Sequence, residues 1–215
     1  MAQEPGGPQP VGTRAVGITT ALRLSYVSIA WGTLSGATAV AVGIASYSLA
    51  VVGIGLNVVC DVVGSVMLVW RFRQERGDPE AGAGAEARAG IVIGIALAVV
   101  AVVLTVETIV ALASKSRPDV TAISVAAAAV NLVVLVPLGL AKRRVGRALG
   151  SKALQGDAML SLIGAGLALL ALVGLVLNWA LDWWWADRVA ALVVACVAAS
   201  ESVRLLTRKD HQIVG

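Results

Sequence analysis

The sequence predicts an all-α membrane protein of six transmembrane helices with both termini cytoplasmic. Three observations carry this. Hydrophobic residues make up 58% of the 215, charged residues only 14%, and the mean hydropathy is +0.87; a soluble domain of this length buries its core with far fewer apolar residues. The apolar residues also fall in runs near the length of a bilayer crossing, at 24–44, 48–70, 90–112, 121–141, 153–178 and 187–206, with short polar segments between them. Finally, the basic residues alternate from side to side. The N-terminal tail, the second and fourth loops and the C-terminus carry 2, 4, 5 and 3 Lys or Arg, against 0, 2 and 1 in the first, third and fifth loops. Basic loops stay on the cytoplasmic side, so the alternation sets the orientation.

Taken in order, residues 1–22 are polar and rich in Gly and Pro (QEPGGPQP), the composition of a disordered cytoplasmic tail. The six-helix domain is expected over 23–206, and 207–215 as a short cytoplasmic tail. The first span carries Gly32 and Gly36 in GxxxG spacing, which lets helices approach closely. The second ends at Trp70, an inner-face anchor. The segment RFRQERGDPEAGAGAEARAG reads as a solvated loop to the third span, which opens on a second GxxxG, Gly90 and Gly94. A basic loop, KRRVGRALGSK, joins spans four and five. Trp183, Trp184 and Trp185 fall between spans five and six, where indoles settle at the outer headgroup level. Spans two and five open alike, SLAVVG at Ser48 and SKALQG at Ser151. Carried forward, that register sets Leu160 opposite Asn57 and Gly164 opposite Asp61, as in an inverted repeat.

Polar residues inside spans mark the candidate site. Asn57 and Asp61 in span two are one helical turn apart on one face, and Cys60 edges onto that face. A carboxylate at the bilayer centre costs about 2.5–3.5 kcal/mol, so Asp61 must face protein or water. It either binds a cation or hydrogen-bonds, protonated, to a neighbouring helix. Cys60 is either a soft ligand or a small packing residue. Asp157 and Ser161 share a face of span five near its inner end, where Asp157 either lines an ion entry or complements the helix dipole. Asn131 is central in span four, within reach of a neighbouring helix or of Asn57 and Asp61. Cys60 and Cys196 lie in apolar runs and form no disulfide framework, and the single histidine, His211, is near the C-terminus. No nucleophile–base pair, P-loop, dinucleotide fingerprint or zincin motif is present, so an enzyme is not expected. The net charge of +4 is accounted for by topology and implies no nucleic acid.

Three stretches go further. GIGLNVVCD, SKALQGDAMLSLIG and WWWADRVAALVVA, in spans two, five and six, resemble the corresponding motifs of the transmembrane domain of the cation diffusion facilitator family. The resemblance covers about residues 22–206. It implies export of Zn²⁺ or a related divalent cation in exchange for protons. It places Asp157 at the Asp preceding the family's fifth-span pair, and puts Arg188 where the sixth-span motif has Pro. The family's metal-ligand positions become Asn57, Asp61, Leu160 and Gly164, a depleted set beside the four ligands of a tetrahedral Zn²⁺ site.

Two functions follow as expectations. One is a proton-coupled divalent cation transporter of the plasma (inner) membrane, working as a homodimer by alternating access. Asp61, Asn57 and Cys60 would be its metal site and Asp157, Ser161 and Asn131 its ion pathway, with the transported ion as cargo and no cofactor. The other is a membrane scaffold or interaction protein on a transporter-like fold.

Overall fold

The structure, a computed structural model, describes residues 11–46, 49–78, 81–114, 122–181 and 186–207. These form six helices: α1 (Val11–Ser46), α2 (Leu49–Gly77), α3 (Ala81–Ala113), α4 (Ala122–Ala148), α5 (Lys152–Leu181) and α6 (Ala186–Thr207). The order and number of helices are those expected. Their ends are not, because several helices run past the apolar stretch that announced them.

α1 begins within the expected tail. Ile18, Ala21 and Leu22 recur at helical spacing and are buried, and Gly17 admits the side chain of Leu149 where a Cβ would stand 2.7 Å from it. Helix continues there because these residues have a surface to pack on. α2 and α3 together take up most of the expected second loop for the same reason: Phe72, Ala85 and Ala89 are buried within it. α4 runs through KRRVGRA. Only Lys142 and Gly146 of that segment are buried, one turn apart and in line with Leu138, whereas Arg143, Arg144 and Arg147 are exposed. The chain then reverses at Gly150, whose φ of 67° suits glycine. Ser151 caps α5 by accepting from the Leu154 N–H at 3.1 Å.

α1, α2, α4 and α5 surround a common centre through the pairs α1–α2, α2–α5, α4–α5 and α1–α4, and α3 and α6 pack together against α2 and α5. Gly32 and Gly36 seat α1 on α2: a Cβ on either would meet Val62 at 2.6 Å or Val58 at 2.7 Å. The second GxxxG is used by half. Gly94 receives Leu206 of α6, whereas Gly90 faces open space.

The distribution of polarity is that of a protein in lipid. Val102, Val106, Ile109, Val133 and Val193 are exposed, while Lys142, Asp157, Ser25, Ser28 and Ser65 are buried almost completely. Outward apolar chains around polar interior contacts suit a hydrocarbon solvent.

One end of the bundle is laced by charge. Arg14 of α1 pairs with Glu75 of α2 at 2.6 Å. Arg71 lies 2.9 Å from Glu75 and 2.7 Å from Glu86 of α3. Glu86 also accepts from the Ser151 hydroxyl at 3.0 Å and from the Ala153 N–H at 2.8 Å, adding a carboxylate to the N-terminus of α5. The starts of α1, α3 and α5 and the end of α2 therefore meet at one end, as alternating helices require. Trp183–Trp185 and His211 lie outside the described residues.

Candidate functional site

The site grows from one spacing used twice. In α2, Asp61 precedes Ser65 by a single turn, and in α5, Asp157 precedes Ser161 by the same turn. The helices run antiparallel and cross at Gly64, where a Cβ would stand 2.7 Å from the Asp157 Oδ1. At that distance each hydroxyl reaches the acid of the other helix. Ser161 donates to Asp61 at 3.0 Å, and Ser65 donates to Asp157 at 3.2 Å. The contact is reciprocal, with Asp61 related to Asp157 and Ser65 to Ser161. Leu160 packs beside Gly64, and Gly164 lies near Leu135 of α4.

Lys142 of α4 fills the centre. Its Nζ lies 2.7 Å from the Asp157 Oδ2, and both side chains are 0% exposed. The ammonium also donates to Ser28 of α1 at 2.7 Å, and to Ser65 and Ser161 at 3.1 Å each. Ser28 in turn donates to the Asp61 Oδ2 at 3.2 Å. One ammonium thus sits among oxygens from three helices, bound directly to Asp157 and linked to Asp61 through Ser28 and Ser161. The three protons of the amine are shared among the carboxylate and the three hydroxyls, and every hydroxyl donates to an acid, so the cluster is satisfied in a medium that penalises unpaired groups.

The expected residues divide around this centre. Asp61, Asp157 and Ser161 are brought together, so Asp157 and Asp61 share one cluster. Asn57 is half-buried one turn further along α2 and makes no hydrogen bond to the cluster among the described residues. Asn131 accepts from the Trp31 indole N–H at 3.1 Å, tying α4 to α1. Cys60 is buried in the apolar core. Among the described residues, no three His, Cys, Asp or Glu side chains converge as metal ligands.

Lys142, Ser28 and Ser65 went unanticipated. Lys142 stands at the head of a basic run that reads as a loop, yet it alone of KRR continues the Leu138 face. Ser65 repeats the Asp–Ser spacing already visible at Asp157. Ser28 carried no comparable signal beyond being polar in an apolar run.

A six-helix bundle with apolar chains outside and paired acids at its heart defines a multi-pass membrane protein with a buried ionic centre. The chain belongs to the cation efflux family, whose transmembrane domain matches residues 25–209. Proteins of this family are transporters and not enzymes. No curated protein matches the chain.

Proposed function

We propose that the protein exports a divalent cation by alternating access around Asp61 and Asp157, with protons as the exchanged ion. The observation that carries this is the convergence of two buried carboxylates, from α2 and α5, on one positive charge. Buried acids are costly unless they serve a partner, and this pair already holds a cation, the Lys142 ammonium. Proton exchange follows from charge balance: once the cation leaves, the Lys142 ammonium offsets one of the two acids and a proton must neutralise the other before the site crosses apolar surroundings again.

The donors are all oxygens, two carboxylates and three hydroxyls, which suit a hard divalent ion such as Mn²⁺ better than Zn²⁺. Cys60, next to Asp61 in sequence, is the soft donor that Zn²⁺ would need, and a rotation of α2 would be required to recruit it. Asn57 and Asn131 lie on the side of the cluster away from the α4–α5 turn, where we assign them to the wall of the ion route. The basic residues support cytoplasmic termini, and the plasma membrane and a homodimer are the location and assembly we propose.

One observation favours a second reading. The cluster is internally satisfied, as a structural pin would be, which suits a scaffold that moves no ion. Uptake of Mn²⁺ and Zn²⁺ into proteoliposomes under a pH gradient separates the two. We expect Mn²⁺ uptake by the wild type and none by Asp61→Asn or Asp157→Asn. Uptake unchanged in both variants refutes the site, and no uptake by the wild type favours the scaffold.

A further inference from the structure

We propose that Lys142 is a tethered competitor for the cation site: its ammonium holds the place of the transported ion, which binds only as the ammonium withdraws. This rests on the site assigned under Proposed function and says what controls it.

The geometry around Nζ is that of a bound ion. Four oxygens, from Asp157, Ser28, Ser65 and Ser161, surround it at 2.7–3.1 Å. They come from α1, α2 and α5, while the amine comes from α4. The charged groups facing it are Asp157 directly and Asp61 through two hydroxyls. With the ammonium in place, a divalent ion cannot reach these oxygens without meeting a like charge a few ångströms away, a strong repulsion in a dry interior. With the ammonium gone, two carboxylates balance one divalent ion. Occupancy by the amine and by the cargo are therefore mutually exclusive.

The lysine also has somewhere to go. It lies six residues before the end of α4 at Ala148, about 9 Å by helical rise, and a long side chain bends readily toward a helix end. Pro137, inside α4 and just over one turn before Lys142, lacks the N–H that would tie that turn to the preceding one, giving the helix a point of flexure. A site that refills itself with a tethered charge does not stand empty between cycles. That makes Lys142 a determinant of affinity and specificity, not a cation ligand.

A pin and a competitor predict opposite signs on removing the amine. In calorimetric titrations of the detergent-solubilised protein with Mn²⁺, Lys142→Met should bind about tenfold more tightly or better, within the usual range of coupling between sites. Lys142→Arg, which keeps the charge, should bind as weakly as the wild type. Reductive methylation of the wild type gives a measurement that needs no variant. Saturating Mn²⁺ should raise labelling of Lys142 relative to the exposed Lys152. Asp61-dependent binding that is no tighter in Lys142→Met, or that leaves Lys142 protected in the wild type, overturns the competitor and leaves the site standing. Absence of Asp61-dependent Mn²⁺ binding in every protein tested overturns both.

Discussion

Gly64→Ala tests whether the α2–α5 crossing is what builds the site. The new Cβ would stand 2.7 Å from the Asp157 Oδ1, 3.1 Å from Leu160 and 3.6 Å from Ile93. The first contact is too close for any real Cβ, so the carboxylate or a helix must move. Overpacking of this kind costs about 1–3 kcal/mol. Displacing the Asp157 Oδ1 also weakens its bond from Ser65, worth about 1.5–3 kcal/mol for a charged acceptor. Against this stands the gain of roughly 0.5–1 kcal/mol from replacing a helical glycine by alanine. The balance is a loss of about 1.5–5.5 kcal/mol, and Mn²⁺ binding should weaken with it. Gly90→Ala is the control, because nothing lies within 4 Å of its Cβ, and it should gain up to about 1 kcal/mol from propensity alone. Reversible unfolding by SDS in mixed micelles reads both. Gly64→Ala as stable as Gly90→Ala, with unchanged Mn²⁺ binding, would mean that the crossing does not press on Asp157.

Two further predictions concern the laced end and the orientation. Glu75→Ala removes the partner of Arg71 and Arg14 from a site where the Glu75 side chain is only 7% exposed; it should cost about 3 kcal/mol in the same unfolding assay, the loss expected when a buried ion pair is broken on one side. A stability within measurement error of wild type would show that Glu86 alone holds Arg71. Cysteines introduced at Ser114 and Gly84, both exposed, should respectively react with and escape an impermeant thiol reagent applied outside intact cells. The reverse pattern would invert the membrane orientation.

Hydropathy was enough to recover all six helices, because membrane spans need long apolar runs and little else in a protein does. It misjudged their ends for one reason: it sums residues regardless of face. KRRVGR averages to a loop, yet one face of that stretch carries Lys142 and Gly146 into the bundle while the arginines point away. The same averaging made the start of α1 look like tail, where Ile18, Ala21 and Leu22 already form a buried stripe. Asp61 and Asp157 were legible because an acid in an apolar run is conspicuous. Their meeting was not, since it depends on where α2 and α5 cross, which no local pattern in either span states. The reciprocal Asp–Ser pairing shows the register that side-chain chemistry selects. Lys142 was the hardest to find, because a lysine beside two arginines gives no local sign that it differs from them.

The Lys142–Asp157 pair has a consequence for how the chain enters the membrane. Each of these residues, carried on its own helix toward lipid near the inner end of its span, meets part of the barrier of about 2.5–3.5 kcal/mol that a charge faces at the bilayer centre. They lie on consecutive helices joined at Gly150, so the α4–α5 hairpin brings its own counter-charge and can leave the insertion machinery as one neutralised unit. Among the described residues of the α1–α2 hairpin, the partner offered to Asp61 is the hydroxyl of Ser28. The first half of the chain therefore enters with Asp61 held by a hydroxyl, and this acid joins the Lys142–Asp157 pair, through Ser28 and Ser161, only when the second half has been synthesised.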